Sequence, residues 1–241
     1  MLHQWIVLAV FCLMLATDHL VFWRGFERRV GVDPVRARRT LWIQWISMLW
    51  ACSALVLWLW VAQGLPFAAL SLQMATGWRL WVPLALVAAL SATQFSAGLK
   101  IARLPDRAKL RERIGSTGNV LPHDVSELPL FMLLALSAGF CEELLCRGFV
   151  IWVFQPLVGW WIGAAVSLAL FTLGHIYQGK DGMIRCAALG GAMTLLVALT
   201  HSLWPSIALH AAIDVMSGWI GWQIFRDRAT SPQATEQAPS P

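Results

Sequence analysis

The sequence predicts an all-α fold: a polytopic membrane helical bundle of about seven transmembrane helices, with eight as the alternative count, its N-terminus out and its C-terminus in. Three observations predict it. The 241 residues are 58% hydrophobic and 13% charged, where a soluble domain carries about 25% charged residues. Apolar stretches recur at the roughly 20-residue length that crosses a hydrocarbon core of ~30 Å. The basic residues gather in alternate connections, as the positive-inside rule requires.

Taken in order, the first apolar stretch covers residues 4–22. No positive charge precedes it and no small-residue cleavage pattern follows it, so it reads as a retained helix rather than a leader. The segment 24–39 then holds six Lys or Arg, followed by apolar stretches at 41–61 and 78–99 joined by a connection, 63–77, that holds none. Residues 100–113 hold six more Lys or Arg. A short amphipathic helix at 101–114, ended by Gly115 and Gly118, is expected to lie on the membrane face. The last four spans fall at 128–154, 158–171, 183–200 and 207–225. Residues 1–225 thus read as a single integral membrane domain, and 226–241 as a disordered cytoplasmic tail. The net charge of +5 is accounted for by these loops, so a nucleic-acid partner is not expected, whereas the lipid bilayer is. The cell (plasma or inner) membrane is the expected location.

Fifteen tryptophans, many near span ends, suit an interfacial belt. The five cysteines (Cys12, Cys52, Cys141, Cys146 and Cys186) lie in apolar stretches without a CxxC pair and read as buried free thiols. His201, in THSLWP, reads as a loop residue. Asp18 and His19 read as neighbours of the first loop or as interfacial residues, and the chemistry is expected after residue 127.

An ionisable residue inside a span costs about 2.5–3.5 kcal/mol on insertion scales and is a functional-site hypothesis by default. CEELLCRG, residues 141–148, places Glu142, Glu143 and Arg147 inside an apolar run. Glu143 and Arg147, four apart, share a helical face and pair. Glu142 points about 100° away and has no opposite charge in its own helix, the situation of a general acid or base. His175 has Phe171 four residues before it, and His210 has Asp214 four residues after it. An aromatic at that spacing walls an imidazole, and a carboxylate orients one.

In their order and spacing these residues resemble the CPBP family of intramembrane glutamic proteases, relatives of the CAAX prenyl endopeptidase, whose pattern is EExxxR, FxxxH and HxxxN or HxxxD. The resemblance covers about the last hundred residues, with a catalytic core at about 126–225. It implies an intramembrane endopeptidase hydrolysing a peptide bond near the membrane in a membrane-anchored protein or peptide. It implies Glu142 and His175 as the water-activating pair, His210 with residue 214 on the oxyanion side, and Glu143, Arg147 and Phe171 in support. The alternative is a non-catalytic membrane scaffold or immunity protein of the same fold, which Asp214 favours because a carboxylate donates only when protonated. A transporter is a third reading. No cofactor and no metal ligand is expected, since HExxH is absent, although two Glu and two His leave a divalent metal as the alternative. Straight helices would set Glu142 at mid-membrane, His175 near one end and His210 near the other. Breaks are therefore expected at Gly174, Gly179, Gly182, Gly190, Gly191 or Pro205.

Overall fold

The computed structural model describes residues 2–226, so the tail expected to be disordered lies, apart from Arg226, outside the described residues. Those residues form helices joined by short connections, with no strand among them. The chain opens with α1 (Leu2–Thr17), which passes through a π-helical turn (Asp18–Trp23) into α2 (Arg24–Val30). A turn at Gly31 and Val32 ends that rod, and Asp33 caps α3 (Pro34–Ala62) by accepting from the Arg36 amide at 3.0 Å, with Pro34 in the first turn.

After a connection that includes a 3₁₀ turn (Phe67–Leu70) comes α4 (Trp78–Ala102). The amphipathic helix expected at 101–114 is divided. α4 stops at Ala102, and α5 (Ala108–Ile114) starts afresh, its first amide held by Asp106 Oδ1 at 2.8 Å. Pro105 is the cause: it lacks an amide and pushes the residue before it out of the helical region.

The central rod runs without a gap from Val125 to Val158. It comprises α6 (Leu128–Glu143), a π-helical turn (Leu144–Val150) and α7 (Ile151–Val158). Its most apolar window is 56% buried, against 11% for α4 at the periphery, which makes it the axis of the bundle. Small residues set how closely helices approach it. A Cβ on Gly139 would lie 2.8 Å from the Ala211 amide nitrogen, so this glycine lets α6 meet α10 (Trp204–Phe225) backbone to backbone.

α8 (Trp160–Gly174) turns back from Gly159 and packs on α7, and α9 (Gly179–Thr200) follows a 3₁₀ turn (Ile176–Gln178). Of the expected break points, Gly182, Gly190 and Gly191 leave α9 continuous, while Gly174, Gly179 and Pro205 fall at helix ends. Gly190 answers to packing instead: a Cβ there would sit 2.9 Å from an Arg147 nitrogen and 2.8 Å from Leu168. His201, at φ 54°, caps α9 in the turn before α10. That turn is tied to the 65–77 connection through Leu203 N to Ser71 O at 2.7 Å and Ser202 Oγ to Gln73 O at 2.7 Å.

Among the described residues, five helical rods are long and apolar enough to cross a membrane: Leu2–Val30, Pro34–Ala62, Trp78–Ala102, Val125–Val158 and Ile176–Thr200. The protein is a multi-pass helical membrane bundle. α8 is apolar but has only 15 residues, about 22 Å at 1.5 Å per residue, and that shortness decides where the site forms.

Candidate active site

Glu143 and His175 each lie sixteen residues from Gly159, one along α7 and α6, the other along the antiparallel α8. Equal distances from a shared corner bring them to one level of the bundle. This answers the depth problem set by straight, full-length spans: α8 is short, and no kink within it is needed.

Glu143 is fully buried. Its Oε1 accepts from Arg147 Nη1 at 2.9 Å and from His210 Nδ1 at 3.0 Å, while Oε2 has no hydrogen-bond partner. The i, i+4 pair expected from the sequence is therefore present, with an imidazole added from α10. Arg147 also donates to Gly190 O at 3.0 Å and Thr194 Oγ1 at 3.4 Å, and its guanidinium lies 4.2 Å from the Phe171 ring centroid. Phe171 also meets the rings of His175 at 4.7 Å and His210 at 5.9 Å. One aromatic thus walls the arginine and both imidazoles.

The π-helical turn begins directly after Glu143. A turn with i→i+5 bonding leaves a carbonyl without its usual partner, and Ser167 Oγ of α8 donates to Cys146 O at 2.7 Å there. α8 is thereby pinned to the segment that carries the glutamates. Nothing local in the sequence marks this turn; a Cβ added to Gly148 within it would lie 3.2 Å from Leu70 O, the mark of a close approach.

Glu142 has a different setting. It makes no hydrogen bond among the described residues and lines a cavity of about 360 Å³ together with His175, Phe171, Asp214 and Cys146, space for several waters. His175 Nδ1 lies 2.8 Å from Phe171 O. A carbonyl only accepts, so Nδ1 carries the proton and Nε2 keeps the lone pair. His210 meets the Phe171 ring edge to face, its Nε2 3.6 Å from Asp214 Oδ2, longer than a hydrogen bond. Glu142 and His175 thus line one cavity, and the carboxylate bonded to His210 is Glu143.

The first half of the chain contributes more than sequence reasoning allowed. Asp18, expected to be a loop neighbour or interfacial, lines the same cavity and accepts from Trp45 Nε1 at 2.5 Å. Its signal was present: it is one of few polar residues in the apolar N-terminal half. Asp18 also starts the first π-helical turn. Tyr177, Gln178 and Ser217 join the lining as well. The free cysteines are as expected for Cys52, Cys141 and Cys146, which are buried, whereas Cys12 is exposed on α1. Among the described residues no group of three or more His, Cys, Asp or Glu side chains is placed to hold a metal ion.

No curated protein and no solved structure matches the chain. Residues 124–216, which hold Glu142, Glu143, Arg147, Phe171, His175, His210 and Asp214, match the family model described as Rce1-like, type II CAAX prenyl endopeptidase, and the family resemblance read from those residues stands.

Proposed function

We propose that the protein is an intramembrane endopeptidase that cuts a membrane-anchored protein or peptide with a water activated by Glu142 and His175, acting in the cell membrane with seven crossings, N-out and C-in. The observation that carries this reading is the shared cavity: Glu142, with no hydrogen bond among the described residues, and His175, with Nδ1 on the Phe171 carbonyl, line the same space. The family match over 124–216 supports it at the level of a CAAX-type protease.

In this mechanism the water oxygen bonds to the scissile carbonyl carbon as Glu142 takes the water's proton, with His175 Nε2 accepting the second O–H and orienting the attack. The charge that develops on the carbonyl oxygen needs a donor. His210 Nδ1 donates to Glu143, which turns Nε2 toward the side of Asp214, and a protonated Nε2 supplies that donor. Glu142 then returns its proton to the leaving nitrogen as the C–N bond breaks. Glu143, Arg147 and Phe171 fix the imidazoles.

Asp214 favours a second reading, a non-catalytic scaffold or immunity protein, because an ionised carboxylate donates nothing to an oxyanion. The test separates the two. The purified protein and its Glu142→Ala and His175→Ala variants are reconstituted in liposomes with membrane-anchored substrates; loss of cleavage in both variants is expected, and unchanged cleavage rejects the site. A cellular phenotype that survives Glu142→Ala in a folded protein would favour the scaffold.

A further inference from the structure

The cavity of about 360 Å³ has a neighbour of about 450 Å³, and the two share Thr117, Phe171, His175, Gln178, Asp214 and Ser217 in their walls. They are two chambers meeting at His175 and Asp214. Their other charges are sorted. Asp18 and Glu142 line the first chamber, and no Lys or Arg does. Arg113 of α5 and Arg185 of α9 line the second, and there Asp214 is the only acid.

Two of these charges have capacity to spare. Trp45 Nε1 occupies Asp18 Oδ1, and Oδ2 has no hydrogen-bond partner among the described residues. Arg113 has no hydrogen bond or ion pair among the described residues. Asp18 comes from the first π-helical turn and Arg113 from the short helix under the bundle, both outside the segment that carries the family match.

We propose that the two chambers form one passage that reads the charge polarity of its occupant, a cationic side chain entering the first chamber against Asp18 and an anionic group entering the second against Arg113. The inference rests on the endopeptidase reading and names the substrate class: a peptide with a basic residue on one side of the scissile bond and an acidic group on the other. The anionic group is a carboxylate, from a side chain or from the end of the chain. Asp18 is partly buried, where a charge-assisted bond outweighs its value in water, while Arg113 is exposed and exerts the weaker pull.

The experiment uses the full chain in proteoliposomes and a set of fluorescent apolar peptides carrying Lys, Gln or Glu on either side of a fixed centre, each with a free and an amidated C-terminus. Cleavage is read in the wild type, and binding in Glu142→Gln. One polarity, Lys on one side and Glu on the other, is expected to win over its reverse by about tenfold, the value of one charged hydrogen bond. Asp18→Asn, which keeps an acceptor for Trp45, is expected to remove the Lys preference alone, and Arg113→Gln the Glu preference alone. An effect of amidation would assign the anion to the chain end. Peptides cut without polarity preference would overturn the passage and leave the protease standing. Polarity-dependent binding without cleavage would do the reverse. Loss of both preferences in Asp18→Asn would overturn the assignment of separate chambers.

Discussion

Two buried glutamate–arginine pairs hold this bundle, and they are built differently. Glu127, at the start of α6, is saturated. Its Oε1 takes Arg38 Nε at 2.8 Å, and its Oε2 takes Arg38 Nη2 at 3.1 Å, the His123 amide at 2.8 Å and the Asp124 amide at 3.1 Å. His123 Nε2 donates to Gly118 O at 3.0 Å, which leaves Nδ1 to accept from Arg38 Nη1 at 3.5 Å. Glu143, at the end of the same helix, is equally buried, yet Oε2 remains without a partner and Oε1 serves two donors. A buried acceptor left unbonded costs about 1–3 kcal/mol. The saturated pair clamps α3 to α6 and has nothing to spare. The unsaturated pair holds an imidazole beside a cavity, and there the bundle tolerates a deficit in return for a fixed orientation.

The largest effect should come from the acid that belongs to neither pair. Glu142→Gln is expected to lower cleavage by about 10²–10⁴-fold, the usual worth of a general base, with the thermal unfolding midpoint unchanged because Glu142 has no partner to lose. A midpoint that falls with activity would move Glu142 into the structural class with Glu127.

Next come the pairs themselves. Removing one partner strands a buried charge, so Arg147→Met and Arg38→Met should each destabilise by about 3–5 kcal/mol, measured by tryptophan fluorescence in detergent. Removing both partners restores much of that loss. The doubly substituted Arg38→Met, Glu127→Leu protein is expected to regain stability and to cut normally. The doubly substituted Glu143→Leu, Arg147→Met protein should regain stability and remain inactive, because His210 Nδ1 has lost the oxygen that orients it. Recovery of activity in the second would make both pairs mere clamps.

The same contrast marks how far the sequence could be read. Glu143 and Arg147 are four apart on one helix, so their pairing follows from helical geometry alone, and the wall that Phe171 gives His175 follows the same rule. Arg38 and Glu127 are 89 residues apart, and no local pattern joins them. The bond from His210 to Glu143 spans 67 residues and depends on Gly139 letting α10 close on α6, a long-range fact. Helix positions were legible because apolar runs of about 20 residues announce themselves. The fold missed in detail lay where a helix changes its winding: both π-helical turns, at Asp18 and after Glu143, sit inside runs that read as plain α-helix. Those two turns adjoin the carboxylates at the cavity, so a plain α-helical reading of the sequence does not bring Asp18 there.

Asp214 gives a smaller and more directional effect. Asparagine at this position keeps an acceptor and adds a donor, so Asp214→Asn is expected to retain cleavage within about tenfold of wild type, whereas Asp214→Ala should lose about 10²-fold as an oxyanion donor does. Equal activity in Asn and Ala variants would remove residue 214 from the oxyanion side.

The smallest effect belongs to the outer edge of the saturated pair. Asp124 precedes the 3₁₀ turn Val125–Glu127 and takes the Ser126 amide at 2.8 Å, and with Glu127 it forms a capping box. Hydrogen bonds from Ser126 hold the Asp124 carboxyl below the usual aspartate range. A carboxylate depressed on folding stabilises the folded state above its unfolded pKa, near 3.8, and that contribution disappears as the pH falls through the lower folded value. Asp124→Ala should therefore cost about 1 kcal/mol at neutral pH, the worth of an N-cap, and the difference from wild type should shrink only below about pH 4. Asp124→Asn keeps the cap oxygen and should remove the pH dependence while sparing most of the stability. A full 3–5 kcal/mol loss on Asp124→Ala would mean that the cap holds the Arg38–Glu127 pair in register, and that the clamp, like the site, depends on how its helix begins.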